Sequence, residues 1–174
     1  MRVLADGKKK FVVLPEIPAD MDKITITEAL AGEDFSGAVL SSDFDLGPAA
    51  SDVLDEKSLD VSGNAKELGN GNADGGFTAY RSFLAATGLP DTASTEEKFW
   101  AIVGDAKGTV LPILIRHSGK KSTEDLTVGD EYWYCEYELD VPSSAALEGK
   151  LKHRVPGAIR RFTEGFKTIV SATP

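Results

Sequence analysis

The sequence predicts a mainly β fold, a β-sandwich or barrel with one packed α-helix at about residues 94–106 and a long acidic loop. Three observations carry this. Residues 131–141 alternate strictly, with Trp133, Cys135, Tyr137, Leu139 and Val141 on one face and Tyr132, Tyr134, Glu136, Glu138 and Asp140 on the other, the signature of a strand. Apolar residues recur at helical spacing behind a capping signature in one stretch only. Residues 31–76 are dominated by Gly, Asp, Ser and Asn, with apolar residues singly or in short pairs. Many strands with a single helix between them point to a sandwich or barrel. The 174 residues make one domain, long enough to bury roughly 70% of the unfolded surface without help from a metal or disulfide.

The elements follow in chain order. Residues 1–18 form an N-terminal arm or strand, in which Lys8-Lys9-Lys10 leads into Phe11-Val12-Val13-Leu14 before Pro15 and Pro18. Residues 23–30 alternate, with Ile24, Ile26 and Ala29 opposite Thr25 and Thr27, and read as a half-buried strand. Residues 33–75 form the long acidic loop. Its first part, from Glu33 to Asp60, holds eight acids against one base, Lys57. A structureless loop of that length is unusual inside a compact domain, so one or two short strands are expected in it, with an extended part ordered by a neighbour. After Gly75-Gly76, residues 77–84 alternate as a strand rich in aromatics. Ser94-Thr95-Glu96-Glu97 has the form of a capping box. Phe99, Ile102, Val103 and Ala106 follow at helical spacing, with Trp100 beside them and Gly108 at the stop. Strands resume at residues 109–117, where Pro112 predicts an edge or a bulge. In the basic segment 143–174, Gly149, Pro156-Gly157 and Gly165 favour two kinked strands over one helix.

No motif supplies catalytic chemistry. Asn70-Gly71-Asn72-Ala73-Asp74-Gly75 imitates half a calcium loop, but Arg81 stands where a bidentate glutamate is required; a hairpin or loop is the better reading. Asp43 and Asp45 could form a carboxylate pair on one strand face, yet no histidine or third acid supports them, and an acidic, interface-facing loop accounts for them. Cys135 is the sole cysteine and alternates in register with Trp133 and Tyr137, a core position that leaves no disulfide or cysteine-ligated zinc. No nucleotide-binding or hydrolase motif is present. The expectation is a protein that is not an enzyme, with no cofactor, no metal and no catalytic residue. The N-terminus lacks the apolar region of a signal peptide, and no apolar run approaches the ~20 residues of a membrane span, so folding in a cytoplasm without a membrane partner is expected.

Charge placement carries more. The net charge of −9 and pI near 4.7 argue against neutralising nucleic-acid phosphates. Residues 143–174 nevertheless hold six bases against two acids, a net of +4, which leaves −13 on residues 1–142. Either these charges decorate exposed strand faces, or the chain is self-complementary. In the second case the acids Asp43, Asp45, Asp52, Asp55 and Glu56 of one copy meet Lys150, Lys152, Arg154, Arg160 and Arg161 of the next. Head-to-tail contacts of that kind close rings or propagate filaments.

The order of these features carries a resemblance. Asp43-Phe44-Asp45-Leu46-Gly47-Pro48-Ala49-Ala50-Ser51-Asp52-Val53-Leu54-Asp55-Glu56 is followed by Phe77-Thr78-Ala79-Tyr80-Arg81-Ser82-Phe83 and the helix around Glu97-Lys98-Phe99-Trp100. Then come Thr109-Val110-Leu111-Pro112-Ile113-Leu114-Ile115-Arg116, the Lys121-Ser122-Thr123-Glu124 turn, and Val128-Gly129-Asp130-Glu131 before the last aromatic strand. Over about residues 35–142 this resembles the major tail protein, or tail tube protein, of long-tailed non-contractile (siphovirus-type) bacteriophages, particularly those of actinobacteria.

The resemblance implies a β-sandwich with a flanking helix whose copies form hexameric rings. A shared inner β-barrel would surround a lumen for DNA ejection, with the long loop and terminal arms making ring-to-ring contacts. It also implies other tail proteins as partners (tape measure, tail terminator, distal tail), transient passage of phage DNA, and a place in the virion tail after assembly in the host cytoplasm. Acidic walls suit such a duct, because a polyanion slides past them without adhering. The alternatives are a tail terminator or connector ring and, from another class, a small-ligand-binding β-barrel whose aromatic faces line a cavity.

Overall fold

The computed structural model describes residues 7–54, 67–68, 70–104, 107–144 and 149–172. In chain order the elements are β1 (Lys9–Val13), α1 (Ile26–Ala31), β2 (Glu33–Asp34), β3 (Gly47–Ala49), β4 (Val53–Leu54), β5 (Glu67–Leu68), β6 (Asn72–Asp74), β7 (Phe77–Tyr80), α2 (Thr95–Val103), β8 (Val110–His117), β9 (Glu131–Leu139), β10 (Ser143–Ser144), β11 (Lys152–Val155), β12 (Gly157–Phe162) and β13 (Lys167–Thr168). The main sheet runs β12-β9-β8-β1-β2, with β13 also on β9, and its pairings are antiparallel. A smaller sheet, β10-β11-β7, continues through backbone bonds from residues 38–40 to the free edge of β7.

The predicted alternation in β9 decides the layering. Trp133, Cys135, Tyr137 and Leu139 join Phe11, Ile113 and Ile115 of the main sheet in one core, closed by Phe77 and Val155 of the small sheet and by Phe99, Trp100 and Val103 of α2. This is the predicted sandwich with a packed helix. Tyr132 and Tyr134 point the other way, into a second core with Val12, Leu14 and Leu114, covered by Ile24, Ala29, Leu126 and Ile169. Aromatic rings fill the interior: Phe77 meets Tyr137 at 5.7 Å and Phe99 at 6.0 Å between centroids. Of the aromatic residues that might have lined a ligand cavity, Phe77 and Tyr137 pack on each other in the sandwich core, and Tyr132 and Tyr134 are buried in the second core. Cys135 is buried, as its register predicts, and burial pushes its thiol pKa up.

Several local expectations are corrected. Residues 23–30 are not a strand: Ile24 is buried and Thr25 bridges Val170, but the chain then turns into α1. The reason is a capping box, in which Thr25 Oγ1 accepts from the Glu28 amide and the Glu28 carboxylate accepts from the Thr25 amide at 2.8 Å. The strand after Gly76 stops at Tyr80, not at residue 84. Helix α2 begins on Ser94 as its cap but ends at Val103, where Gly104 at φ +31° supplies the stop assigned to Gly108; residues 105 and 106 lie outside the described residues. Pro112 is interior to β8, which pairs with β1 and β9. It sits where β1 ends, its carbonyl accepting from Leu14 N at 2.9 Å, so its missing N–H falls beyond the shared ladder. The basic segment forms strands and not a helix, as expected, but the described residues hold four of them, β10 to β13, where two were expected. At the step from β11 to β12 a Cβ on Gly157 would strike the Glu138 carbonyl and come within 2.6 Å of the Tyr137 ring.

Arg116 is fully buried, and its hydrogen bonds run to backbone carbonyls. Its guanidinium donates to the carbonyls of Lys121 at 2.5 Å and Glu124 at 2.9 Å, and so organises the loop between β8 and β9.

Ile113 is fully buried where β1, β8 and β9 meet, so Ile113→Ala should destabilise by about 2–5 kcal/mol. Loss of the α1 cap in Thr25→Ala should cost only about 1 kcal/mol. Urea unfolding of both variants checks the order; equal midpoints would contradict the layering.

Candidate assembly interface

From Gly47 on, the described part of the acidic loop is a two-stranded ribbon. Gly47 lies opposite Asp74, Pro48 opposite Ala73 and Ala49 opposite Asn72, and the same register continues with Val53 opposite Leu68 and Leu54 opposite Glu67. At roughly 3.3 Å per residue this described part reaches about 25 Å. Its outward side chains are exposed, Val53 among them. The calcium-like segment is therefore β6 and the turn after it, with glycine used at Gly75, φ +122°, where a Cβ would strike the backbone of Asp45.

Two aspartates bolt the base of this ribbon to the sandwich. Asp45 Oδ1 accepts from Gly76 N at 2.6 Å, and Asp45 N donates to Gly76 O at 3.2 Å. Asp43 accepts from the Thr78 hydroxyl and from Arg154 Nη1 at 3.2 Å. A side chain at Gly76 would meet the Arg154 guanidinium at 2.7 Å. The Gly75-Gly76 step thus lets the ribbon leave β7 close beside that arginine. Farther out, Asn72 Nδ2 donates to Asp52 at 2.8 Å across the ribbon.

The predicted interface residues fall into distinct groups. Asp43 and Arg154 meet within one chain, and Asp45 holds the ribbon base. Arg160 pairs with Glu138 at 3.4 Å and Arg161 with Glu136 at 3.0 Å. These arginines join acids from before residue 143, as does Lys167 with Asp22 at 3.1 Å. Lys150 is exposed with its ammonium 5.8 Å from the Tyr80 ring centre, and Lys152 sits opposite Tyr80 on β11. Asp52 is exposed on the ribbon, while Asp55 and Glu56 lie outside the described residues.

A second polar anchor escaped the sequence reading. Glu97, in the first turn of α2, is buried and accepts from Arg81 Nε and Nη2, each at 2.8 Å, and from Ser82 N at 2.9 Å, a bidentate pair. It ties the end of β7 to the helix, and Trp100 adds a bond from Nε1 to Tyr80 O at 2.7 Å. The signal was present in Glu97 itself, which serves as the third residue of the capping motif while facing inward. No regular spacing links it to Arg81.

A family model described as phage tail tube protein matches residues 1–172. The chain belongs to the phage tail tube protein family. A comparison with curated proteins found no match. Membership makes the chain a structural component of a phage virion tail. No helix among the described residues is long and apolar enough to cross a membrane.

The Arg81 guanidinium beside Glu97 holds that carboxyl below its usual value of 4.5. For Asp34, burial alone would raise the pKa, but hydrogen bonds from Lys10 and Ser36 and the Lys10 charge bring it below the usual 3.8. A folded-state pKa that is depressed gives stability that is present above the unfolded value and lost as pH falls through the folded one. Urea midpoints should therefore hold from pH 7 to about 5 and drop below about 4.5. Glu97→Gln should lower the midpoint at pH 7 and flatten that drop. An equally steep acid limb in the variant would remove Glu97 from the account.

Proposed function

We propose that this tail tube subunit closes into rings, hexameric as the family resemblance implies, that stack into the tube of a long non-contractile tail through which DNA leaves the capsid. Family membership over residues 1–172 carries the tube reading, and the ribbon supports the stacking. An isolated two-stranded hairpin is at best marginally stable in water. The described ribbon stands with its outward side chains exposed, so a neighbouring ring is the surface that would complete it. We place Asp52, Lys150 and Lys152, together with Asp55 and Glu56, among the contacts between copies; the exposure of Asp52 and Lys150 supports this. The acidic balance of −9 suits a conduit, since like charge keeps phosphate from adhering to the wall. Tape measure, terminator and distal tail proteins are the remaining partners this role requires, and assembly takes place in the host cytoplasm.

The test uses the register of the ribbon. Ala49 and Asn72 are opposed, so deleting residues 50–71 and joining the strands through Asn-Gly restores a tight hairpin. Electron microscopy of the concentrated full-length chain should show tubes, and the shortened chain should stop at rings. Tubes of equal length from both proteins would remove the ribbon from stacking. A full-length chain that itself halts at one ring would indicate a terminator.

A further inference from the structure

We propose that the turn at residues 83–90 is a subunit contact, an apolar knob by which one copy of the chain docks on a second; this rests on the tube reading above. The eight residues are Phe83-Leu84-Ala85-Ala86-Thr87-Gly88-Leu89-Pro90, with no charge and one polar side chain. All are exposed, with Phe83 at 40%, Leu84 at 45% and Leu89 at 62%. Single apolar residues on a surface need no explanation, but a contiguous run of them marks an interaction site. Neither core uses these residues, so folding does not account for them.

The knob is also rigid. Phe83 bridges Pro90, Leu84 N donates to Leu89 O at 2.8 Å, and Gly88 N donates to Leu84 O at 2.8 Å with Gly88 at φ +69°. Ser82 accepts from Asp91 N at 3.0 Å and its own amide is held by Glu97. A preformed turn loses little freedom on docking, which favours association. At its base the Arg81 guanidinium lies 5.1 Å from the Phe83 ring and 5.4 Å from that of Trp100, and Arg81 N bonds to the carbonyl of the exposed Leu151. An arginine held among aromatics beside an apolar patch is a composition enriched in interface hot spots.

Charge selects the occupant. Two copies of a chain with net charge −9 repel at most points of approach. The knob is a place where they can touch without opposing like charges, because the ions at its margin, Arg81 and Glu97, already neutralise each other. A second copy therefore fits this surface, and the contact is heterologous, knob to a different patch, as ring closure or propagation requires.

The experiment compares the full-length chain with Leu84→Asp/Leu89→Asp. Both leucines are outside the cores, so thermal melting should shift by less than about 3 °C. The concentration needed for polymerisation, read by sedimentation and electron microscopy, should rise more than about tenfold. Leu84→Met/Leu89→Met should polymerise as the parent does. Because Cys135 is buried, Thr87→Cys gives one accessible thiol, whose maleimide labelling should slow more than about tenfold on polymerisation. An Asp variant that keeps its melting temperature and polymerises like the parent overturns the proposal. So does labelling at equal rates in polymer and dilute protein, which is the result expected if the knob serves another tail protein. A parent chain that never associates overturns the tube reading and this contact together.

Discussion

Strand β9 is committed on all four sides, and the rest of the molecule is arranged around that constraint. One edge bonds to β8 along its length; the other is divided between β12 and β13. One face packs into the sandwich and the other into the second core. A strand buried on both faces leaves its polar side-chain atoms dependent on distant partners, and those partners join the layers. Tyr132 donates its hydroxyl to Met21 O at 2.8 Å and accepts from Ile24 N at 3.1 Å, which fixes the segment before α1 against the sheet. Tyr137 donates to Val155 O at 3.0 Å and so ties in the small sheet. Where β12 leaves and before β13 joins, the Thr163 hydroxyl accepts from Tyr134 N at 3.1 Å and fills the gap in the ladder.

Among the described residues, the ribbon and the 83–90 turn extend away from this central strand, and each is held at its root by carboxylates. Asp45 and Asp43 hold the ribbon to β7 and β11; Glu97 holds the turn through Arg81 and Ser82. Anchoring by buried or half-buried acids sets the direction in which each projection leaves the body. Part of the acid excess in this chain is therefore structural and is not available to repel DNA or to attract another subunit.

The sandwich was legible because its elements carry periodic signals. The alternation of residues 131–139 and the Ser94 cap each specify an element from its own residues, although Glu97 spends its carboxylate on Arg81 and Ser82 where a capping box was expected. The second core was not legible, because Tyr132, Tyr134 and Glu136 alternate identically whether they face water or another layer. Residues 23–30 misled for a related reason: Ile24, Ile26 and Ala29 fit a strand or a short helix equally well, and the deciding signal was the Thr25–Glu28 box. Short strands were expected in the acidic loop, but their pairing into a ribbon was not legible, because they pair through the backbone while their Gly, Asp and Asn composition is that of turns. The anchoring pairs could not be read at all, since Asp43 and Arg154 stand 111 residues apart and no periodicity spans that distance.

The division of charge along the chain takes on a different meaning in three dimensions. Read linearly, −13 and +4 suggest opposite poles that attract between copies. In the fold, Arg154, Arg160, Arg161 and Lys167 each lie beside an acid of the same subunit. The basic segment thus works first as internal glue that holds β11, β12 and β13 against the acidic body. Exposed pairs of this kind contribute little individually to stability, about 0–1 kcal/mol each, but they lower the positive charge offered to a neighbour. An attraction between opposite poles of two copies is therefore weaker than the linear charge count suggests. Four of the six bases of that segment are thus engaged inside the subunit, so the −13 and +4 of the sequence do not become two free poles in the fold.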